Sequence, residues 1–254
     1  MAEAYYINDI DLSTLMTIQR VDATAHAPTM LQSDYLVPGR TGAVAVKPWF
    51  GPSPVSIGGI VSGSSRGEYL DRIARLISVC VNSGLPFTMK RTLPRASGAR
   101  SANAQARYVG GLDYVEQLSD KAARVMVEFS ILSSFWSDED YTTAQPAGAS
   151  FGITTPGDTA TNDIIVTIAG GTGQRITNVT TGDFVEVDAS TSATPIVLNI
   201  GQFTAVQGST NVIDKVSYNP NNTTKYWLTM RPGANQFTLS GGGTAEVQYR
   251  AFYL

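Results

Sequence analysis

Short apolar runs recur along this chain, and in the last of them Val247, Tyr249 and Ala251 alternate with the polar residues Glu246, Gln248 and Arg250, the two-residue period of a half-buried β-strand. In the second half these stretches are rich in β-branched and aromatic residues and are bounded by Gly, Pro or Asn. Thr181-Gly182, between two of them, has the composition of a tight hairpin connection. Short, evenly spaced strands predict an antiparallel β-sandwich. The predicted strands are Asp163 to Ala169, Arg175 to Thr180, Asp183 to Asp188, Pro195 to Gly201, Tyr226 to Met230, Gln236 to Leu239 and Ala245 to Tyr253.

One segment of the first half has a helical period, from Arg66 to about Asn82. Ser65 and Glu68 have the spacing of a capping box, and Gly84 followed by Pro86 predicts a stop. The apolar residues that share one predicted helix face are Leu70, Ile73, Ala74, Ile77, Cys80 and Val81. Strands are predicted on either side of the helix, at Ile18 to Val21, Ala43 to Val46, Val55 to Val61, Phe87 to Lys90 and Arg124 to Leu132. The whole chain is therefore predicted to be mainly β with one central helix, beginning with an α+β unit.

The chain changes character near residue 142, which predicts two domains. Residues 1–141 contain 27 charged residues and 7 threonines, whereas residues 142–254 contain 12 charged residues and 20 threonines. The segment 142–150 has the small, Pro- and Gly-bearing composition of a linker. We therefore expect one domain over 1–141 and a second over 151–254.

The composition narrows the function classes. Charged residues make up 15% of the chain, against about 25% in an average soluble protein, which favours a subunit whose surface is partly buried against neighbours. The net charge is −3, so there is no overall basic field for nucleic-acid binding. A single cysteine excludes an intramolecular disulfide and a Cys-based zinc site. The sequence also lacks a secretory signal pattern and any long apolar run, so we expect synthesis in a cytoplasm and no membrane span.

Candidate catalytic motifs are weak. Gly63-Ser64-Ser65-Arg66-Gly67 matches the G-x-S-x-G elbow of hydrolases between a predicted strand and a helix. Its serine needs a histidine base, and the only histidine, His26, precedes it, whereas that fold places the histidine last. Ser65 is more simply a helix cap, and His26 a surface residue. No catalytic residue, cofactor site or metal site is therefore predicted.

The remaining polar and glycine clusters have simple structural explanations. Cys80 lies on the apolar helix face and is expected to be buried. Gly170 to Gly173 and Gly241 to Gly243 lack the lysine of a phosphate loop and are predicted turns. Several carboxylates could bind calcium or act as an acid/base pair. They lack the spacing of a calcium loop. The two carboxylates of a glycosidase, however, can lie far apart in sequence. The candidate carboxylates are Asp9, Asp11, Asp138, Glu139, Asp140, Asp183, Glu186 and Asp188.

The segment from Lys90 to Arg107 stands out electrostatically because it contains five basic residues and no acidic one. Its other residues are mainly Pro, Gly, Ser, Ala and Asn, which predicts a long loop or extended hairpin. Such an arm could meet an acidic neighbour or face DNA in a channel, and a solvated loop is the alternative. The candidate contact residues are Lys90, Arg91, Arg95, Arg100 and Arg107.

Three stretches of the first half together resemble the distal tail protein family of siphophages. The opening Tyr5 to Ser13 is similar to an apolar-x-Asn-Gly-x-Asp-Leu start, with Asp9 where glycine is frequent. Val37-Pro38-Gly39-Arg40-Thr41-Gly42 is close to the family's Pro-Gly-Arg turn, and Val125 to Trp136 resembles the last strand of its first domain. The second half is similar to the galectin-like sandwich of these proteins in its segments Thr155 to Thr159, Ile176 to Asn178 and Arg231 to Asn235.

This resemblance implies a structural virion protein of a long-tailed bacteriophage, located at the tail tip and made in the cytoplasm of the bacterial host. It implies a barrel-like belt domain that forms a homohexameric ring, with galectin-like sandwiches projecting outward. The partners it implies are a second copy, the tail tube protein, the baseplate hub or tail fibre proteins and the tape-measure protein, with DNA only as passing cargo. The basic segment would then be the arm that reaches a neighbouring subunit or the tube.

The alternative is a carbohydrate-binding or host-adhesion module. Tyr218, Tyr226 and Trp227 could offer aromatic platforms for a sugar. However, the histidine-containing pattern of sugar-binding galectins is not present, and burial in the core explains Trp227 and Tyr226 more simply.

Overall fold

A computed structural model of the chain describes residues 4–22, 30–31, 34–36, 43–45, 49–82, 86–95, 98–144, 149–219 and 226–253. The chain divides into two compact units between Trp136 and Ser137. Every strand pair described in either unit is antiparallel, and the first unit carries the one α-helix of the described residues. The prediction of a mainly β chain with one helix is confirmed.

The first unit is built on a large open sheet. The order of its strands is β2-β1-β9-β10-β11-β8-β3, and β4–β7 and β5–β6 form separate ribbons. No pairing closes this sheet into a barrel among the described strands. The bounds are β1 Ala4–Ile7, β2 Ile10–Asp11, β3 Thr17–Asp22, β4 Met30–Leu31, β5 Asp34–Leu36, β6 Ala43–Ala45, β7 Trp49–Phe50, β8 Ser53–Ser62, α1 Arg66–Asn82, β9 Phe87–Arg95, β10 Gly98–Ser119 and β11 Ala122–Ile131; β12, Trp136–Asp138, lies at the division between the units.

The buried face of this sheet follows the two-residue period. In β8 and β11 every second residue is buried, from Ser53 to Val61 and from Ala123 to Ile131. The helix packs against β8 and β10. Burying one large apolar side chain completely stabilises a fold by about 1.5–3 kcal/mol, so this continuous face holds the unit together.

The helix has the predicted bounds, Arg66–Asn82, but only two of the six residues of its predicted apolar face are buried. Ile73 and Cys80 are buried as expected, whereas Leu70, Ile77 and Val81 are 48%, 43% and 53% exposed, and Ala74 is exposed as well. The buried stripe runs instead through Tyr69, Ile73, Leu76 and Val79 with Cys80. The period was correct, but the sequence contains two adjacent apolar stripes and only one of them meets the sheet.

The β1–β2 hairpin explains one detail of the opening motif. Asn8 and Asp9 connect the two strands, with φ values of 44° and 66°. Two positive φ values in a two-residue connection match the twist of antiparallel strands. Asp9 therefore occupies a left-handed position, a conformation that glycine adopts most readily. Residues 37–42, which carry the Pro-Gly-Arg motif, lie outside the described residues, as does His26.

The second unit is a sandwich of two antiparallel sheets, as predicted. One sheet has the order β13-β23-β15-β18-β19-β20 and the other β14-β22-β16-β17-β21. Their facing residues form one buried cluster, which includes Val166, Ile176, Leu198 and Phe237. The bounds are β13 Thr142–Ala144, β14 Ser150–Thr155, β15 Ile164–Ala169, β16 Thr172–Asn178, β17 Asp183–Ser190, β18 Ile196–Asn199, β19 Thr204–Gln207, β20 Thr210–Asn211, β21 Val216–Tyr218, β22 Gly233–Ser240, β23 Thr244–Tyr249 and β24 Phe252–Tyr253.

The beginning of this unit pairs with its end. β13 pairs with β23 through Thr142 and Tyr249, β14 pairs with β22, and β15 also pairs with β23. β13 lies inside the segment 142–150 that the composition predicts as a linker. The sandwich is thus closed by strands that are far apart in sequence.

One predicted strand of the second unit is wrong. Residues 226–230 form no strand, and only Met230 makes an isolated bridge, to Thr161. The segment is nevertheless buried from Trp227 to Met230. Side chains hold it instead of a strand ladder, because the Asp183 carboxylate accepts hydrogen bonds from the backbone N–H and the hydroxyl of Thr229. An apolar run can therefore serve the core without pairing.

Candidate functional site

The basic segment forms a long hairpin made by β9 and β10. These strands pair without interruption from Phe87 with Ala106 to Arg95 with Gly98. β1 pairs with β9 only as far as Thr92, and β11 meets β10 only from Ala106 onward. Beyond Thr92, β9 therefore pairs only with β10 among the described strands. The extended hairpin expected from the sequence is present.

The five basic residues lie on both faces of this hairpin. Arg91 and Arg100 lie on one face, and Lys90 and Arg107 lie on the other. Cross-strand partners share a face, and Lys90 pairs with Asn103 whereas Arg91 pairs with Ala102. Arg107 is exposed and Lys90 is half-buried. Arg95 is the last residue of β9, and its side chain lies outside the described part of the structure. The segment is therefore not one uniform basic surface.

Arg91 has a different environment from the others. Its side chain is only 2% exposed, and the guanidinium lies 4.4 Å from the centroid of the Trp136 ring, which is buried as well. A desolvated guanidinium on an aromatic face is attracted by the negative charge of the ring face. Ala102, the small cross-strand partner of Arg91, leaves room for this packing. Arg91 thus stabilises the base of the hairpin, a role that the charge count did not reveal.

The opposite face of the hairpin is polar and carries Lys90 and Arg107. Thr92 and Ser101 are joined across the strands by their hydroxyls at 3.1 Å, and Gln105 donates to the hydroxyl of Thr88 at 3.3 Å. Lys90 lies on this face with its ammonium 6.0 Å from the Tyr6 ring, and Arg107 follows on the same face. A negatively charged or polar surface can therefore contact this face without leaving a charged group buried and unpaired.

Ser65 of the G-x-S-x-G motif caps the helix, which is the simpler of the two interpretations of this motif. The Ser65 hydroxyl accepts a hydrogen bond from the backbone N–H of Glu68 at 3.2 Å. Both the backbone N–H and the hydroxyl of Ser64 donate to the Glu68 carboxylate, and these bonds lower the pKa of Glu68. The carboxylate therefore belongs to the first turn of the helix, where negative charge is favourable. No base lies in hydrogen-bond contact with Ser65 among the described residues.

Cys80 is a buried thiol. It is 2% exposed, and burial raises the pKa of the thiol to about 12. Because the thiolate is the reactive form, Cys80 is not suited to nucleophilic or metal-binding chemistry.

The candidate carboxylates are dispersed, and four of them have structural partners, Asp11, Asp138, Asp183 and Glu186. Asp11 accepts from the backbone N–H of Ser13 at 2.8 Å, and Asp138 accepts from the backbone N–H of Ala251 and the hydroxyl of Tyr253. Asp183 is bonded to Thr229, as described above, and Glu186 forms an ion pair with Arg175. The described residues contain no cluster of three metal-ligating side chains. They also contain no helix that could cross a membrane.

The two glycine clusters pack against each other. Gly170 and Gly241 to Gly243 all have positive φ values. The buried side chain of Gln174 lies between the turns and donates to the carbonyl of Gly242 at 2.6 Å, while its oxygen accepts from the Thr191 hydroxyl. The clusters thus pack as one structural assembly: Gly241 to Gly243 form a turn as predicted, whereas Thr172 and Gly173 of the other cluster already belong to β16.

Two further surfaces stand out by exposure. The first is the exposed strip of the helix, formed by Leu70, Ala74, Ile77 and Val81, at a spacing that places them on one line along its surface. The second is aromatic. Trp227 is only 4% exposed and cannot serve as a platform, whereas Tyr218 is 48% exposed and Phe203, which the sequence did not single out, is 42% exposed.

The fold matches known structures over its full length. No protein-family model matches the sequence, and no curated protein matches it significantly. The crystal structure of the Dit protein of phage SPP1, described as a paradigm of the hub adsorption apparatus in phages that infect Gram-positive bacteria, is similar with a TM-score of 0.71, 12% identity and 100% coverage of both chains. A chain of the phage p2 baseplate in its activated conformation with strontium has a TM-score of 0.46, 9% identity and 98% coverage of both chains. The calcium form has the same TM-score, 10% identity and coverage of 99% and 98%.

Proposed function

We propose that this protein is a structural component of the tail tip of a long-tailed bacteriophage. In this role it forms a homohexameric ring that joins the tail tube to the baseplate hub and the tail fibres, and it is not an enzyme. The observation that carries the proposal is the likeness to the SPP1 Dit protein, which extends over both units and both chains completely. Similarity in the order of two unlike units supports a common role more strongly than similarity of one common domain.

The exposed strip of the helix supports self-assembly. Leu70, Ile77 and Val81 each leave a large apolar side chain about half exposed on one line. Contiguous exposed apolar residues are typical of protein interfaces. In a cyclic ring each contact joins two different faces, so a strip on one side of the first unit can serve as one of the two. We assign it to the contact with the neighbouring copy.

The basic hairpin supports a contact with the tube or with passing DNA. Its polar face carries Lys90 and Arg107 with no acidic residue between them in sequence. In six copies, this face would repeat its positive charge around a central channel and lower the electrostatic cost of passing a negatively charged polymer. Tape-measure protein and tail tube protein would meet the same side of the ring.

The first test is the native mass of the protein with and without the strip. We expect light scattering and negative-stain images of the wild type, if necessary with its tail tube partner added, to give closed sixfold rings. The double variant Leu70→Asp, Ile77→Asp should remain folded, because both side chains are about half exposed, and should lose the rings. Burying a charge against an apolar neighbour is unfavourable enough to shift assembly by more than tenfold in concentration.

Val197→Asp is the matched control. Val197 is 41% exposed, like Ile77, but lies in the second unit. It should leave ring formation unchanged. Rings that persist in the double variant would remove the strip from the interface, and a wild type that stays monomeric even with tail tube protein present would contradict the ring itself.

A second test concerns the charge on the hairpin. We expect Lys90→Glu with Arg107→Glu to leave the unfolding midpoint nearly unchanged, since neither side chain is buried, and to reduce phage titre or binding to tail tube protein at least about tenfold, an effect that should shrink as salt rises. Lys215→Glu, a charge reversal at an exposed position of the second unit, is the control. Wild-type assembly and titre in the hairpin variant would show that its charge has no part in the function.

A further inference from the structure

One end of the sandwich contains a small polar cavity of about 270 Å³, which we call the end pocket. It lies where strands of the six-stranded sheet begin or end. Tyr141 precedes β13, Asn162 and Asp163 precede β15, and Asn199 closes β18. Gln202 belongs to the turn that follows, and Phe252 lies in β24. The residues come from four separate segments of the unit, so the fold rather than one local motif forms this cavity.

The polar side chains of the end pocket keep hydrogen-bond donors and acceptors that a ligand can use. The Asn199 side-chain oxygen accepts from the backbone N–H of Gln202 at 3.0 Å, which fixes the turn and leaves the amide N–H₂ group available. The side chains of Asn162 and Gln202 make no hydrogen bond to other described residues, and both lie at least partly open to solvent. Three neutral amides, each with donors and an acceptor, therefore line one small cavity.

The charge in the end pocket is balanced. The Tyr141 hydroxyl donates to Asp163 at 2.7 Å, and the Arg250 guanidinium lies 3.8 Å from the same carboxylate and 4.2 Å from the centroid of the Tyr141 ring. Burial together with the bond to Asp163 raises the pKa of Tyr141 to about 12, so its hydroxyl stays protonated at neutral pH. An uncharged ligand can bind in this pocket without leaving a buried charge of the protein unpaired.

Phe203, the residue after the end pocket's Gln202, has an exposed aromatic ring. It directly follows Gln202 in the turn and is 42% exposed. The ring is stacked on Tyr226 at 5.5 Å with an angle of 8° and meets Trp227 edge-on at 5.7 Å. Its φ of 54° is a left-handed conformation that strongly favours glycine or asparagine over phenylalanine. Backbone strain that the surrounding structure maintains at an exposed aromatic residue is a mark of binding sites.

We propose that the end pocket and Phe203 bind a neutral sugar ring, as part of a polysaccharide. Hydroxyl groups of a sugar both donate and accept hydrogen bonds, which matches three amides and a tyrosine hydroxyl. The C–H face of a sugar ring is apolar and packs well on an aromatic ring. The cavity is smaller than the roughly 300–1,000 Å³ of sites for drug-sized ligands, which suits one sugar ring with the rest of the chain outside. The inference is independent of ring assembly.

The test uses the whole protein and saturation-transfer NMR with millimolar glucose, galactose, N-acetylglucosamine and rhamnose, each alone. At least one sugar should show transfer. That signal should fall at least tenfold in the double variant Asn162→Ala, Gln202→Ala, and also in Phe203→Asn, which keeps the left-handed backbone and removes the ring. Gln236→Ala, an exposed glutamine on the opposite sheet, is the control and should bind as the wild type does.

The outcomes separate clearly. Thermal unfolding should show the variants to be folded, and Phe203→Asn should unfold no earlier than Gln236→Ala does. Absence of transfer from all four sugars, or transfer that survives in the double variant, would overturn the proposal. If no sugar binds but Phe203→Asn prevents incorporation into tails, the surface is a protein contact and the proposal is equally wrong.

Discussion

Replacing Gly243 by alanine should destabilise the second unit by about 3 kcal/mol or more. Gly243 has a φ of 78°, and an added Cβ would overlap the carbonyl oxygen of Ala169 and approach the amide nitrogen of Gln174 within 2.6 Å. The turn must therefore move away from the turn at Gly170. This movement would also break the bond from Gln174 to Gly242, and Gln174 is fully buried. Urea denaturation followed by circular dichroism would measure the loss.

Gly242→Ala separates the two causes of this effect. Gly242 has the same φ of 78°, but nothing lies within 4 Å of its Cβ position. It should cost only the left-handed strain of a non-glycine residue, roughly 1–2 kcal/mol. Equal losses in the two variants would mean that the close approach of the two glycine turns contributes nothing, contrary to the packing described for Gln174.

Replacing Asn235 by alanine should cost about 3 kcal/mol by a different mechanism. Asn235 is 1% exposed, and its amide donates to the carbonyls of Arg231 and Gly233 at 2.8 and 3.0 Å. Its oxygen accepts from the N–H of Arg231 and from the buried amide of Asn178. Alanine would leave several of these groups buried without a partner, and each such group costs about 1–3 kcal/mol.

Gln236→Ala is the matched control for this experiment. Gln236 is the next residue in β22, and its exposed side chain donates to the Ser150 hydroxyl at 2.9 Å. We expect a change of less than about 0.5 kcal/mol in the free energy of unfolding. A small effect of Asn235→Ala as well would indicate that water enters and replaces the missing amide. These bonds also give a physical reason for the two asparagines in the segments that resemble galectin-like sandwiches.

The sequence predicted those parts of the fold in which one local pattern decides the structure. The helix at Arg66–Asn82 and the strands of the sandwich core were predicted because period, capping residues and turn residues agree there. β10 was not predicted as a strand, although it has 22 residues, and its first half was expected only as part of a long loop or extended hairpin, because it is rich in small and polar residues such as Ala102, Ala104 and Asn103. Its strand conformation comes from pairing with β9, and the sequence of a single strand does not show which strand it pairs with.

The site was harder to predict, because exposure depends on tertiary packing. Charge counting identified the basic hairpin but did not distinguish buried Arg91 from exposed Arg107. Periodicity identified the helix but assigned Leu70 and Ile77 to the core. Phe203 carried no signal, since its importance lies in a backbone angle and in its contact with Tyr226. In each case the missing information was which neighbour covers a side chain, and that is set by residues distant in sequence.

The pairing of the first strands of the sandwich with its last strands has a consequence for synthesis on the ribosome. β13, β14 and β15 emerge early, but their partners, β22 and β23, begin only at Gly233 and Thr244. At the roughly 5–20 residues per second of translation, these strands wait on the order of ten seconds with open edges. The sandwich is therefore expected to fold only after the chain is nearly complete, while β1 to β11 of the first unit, which all end by Ile131, can pair before it.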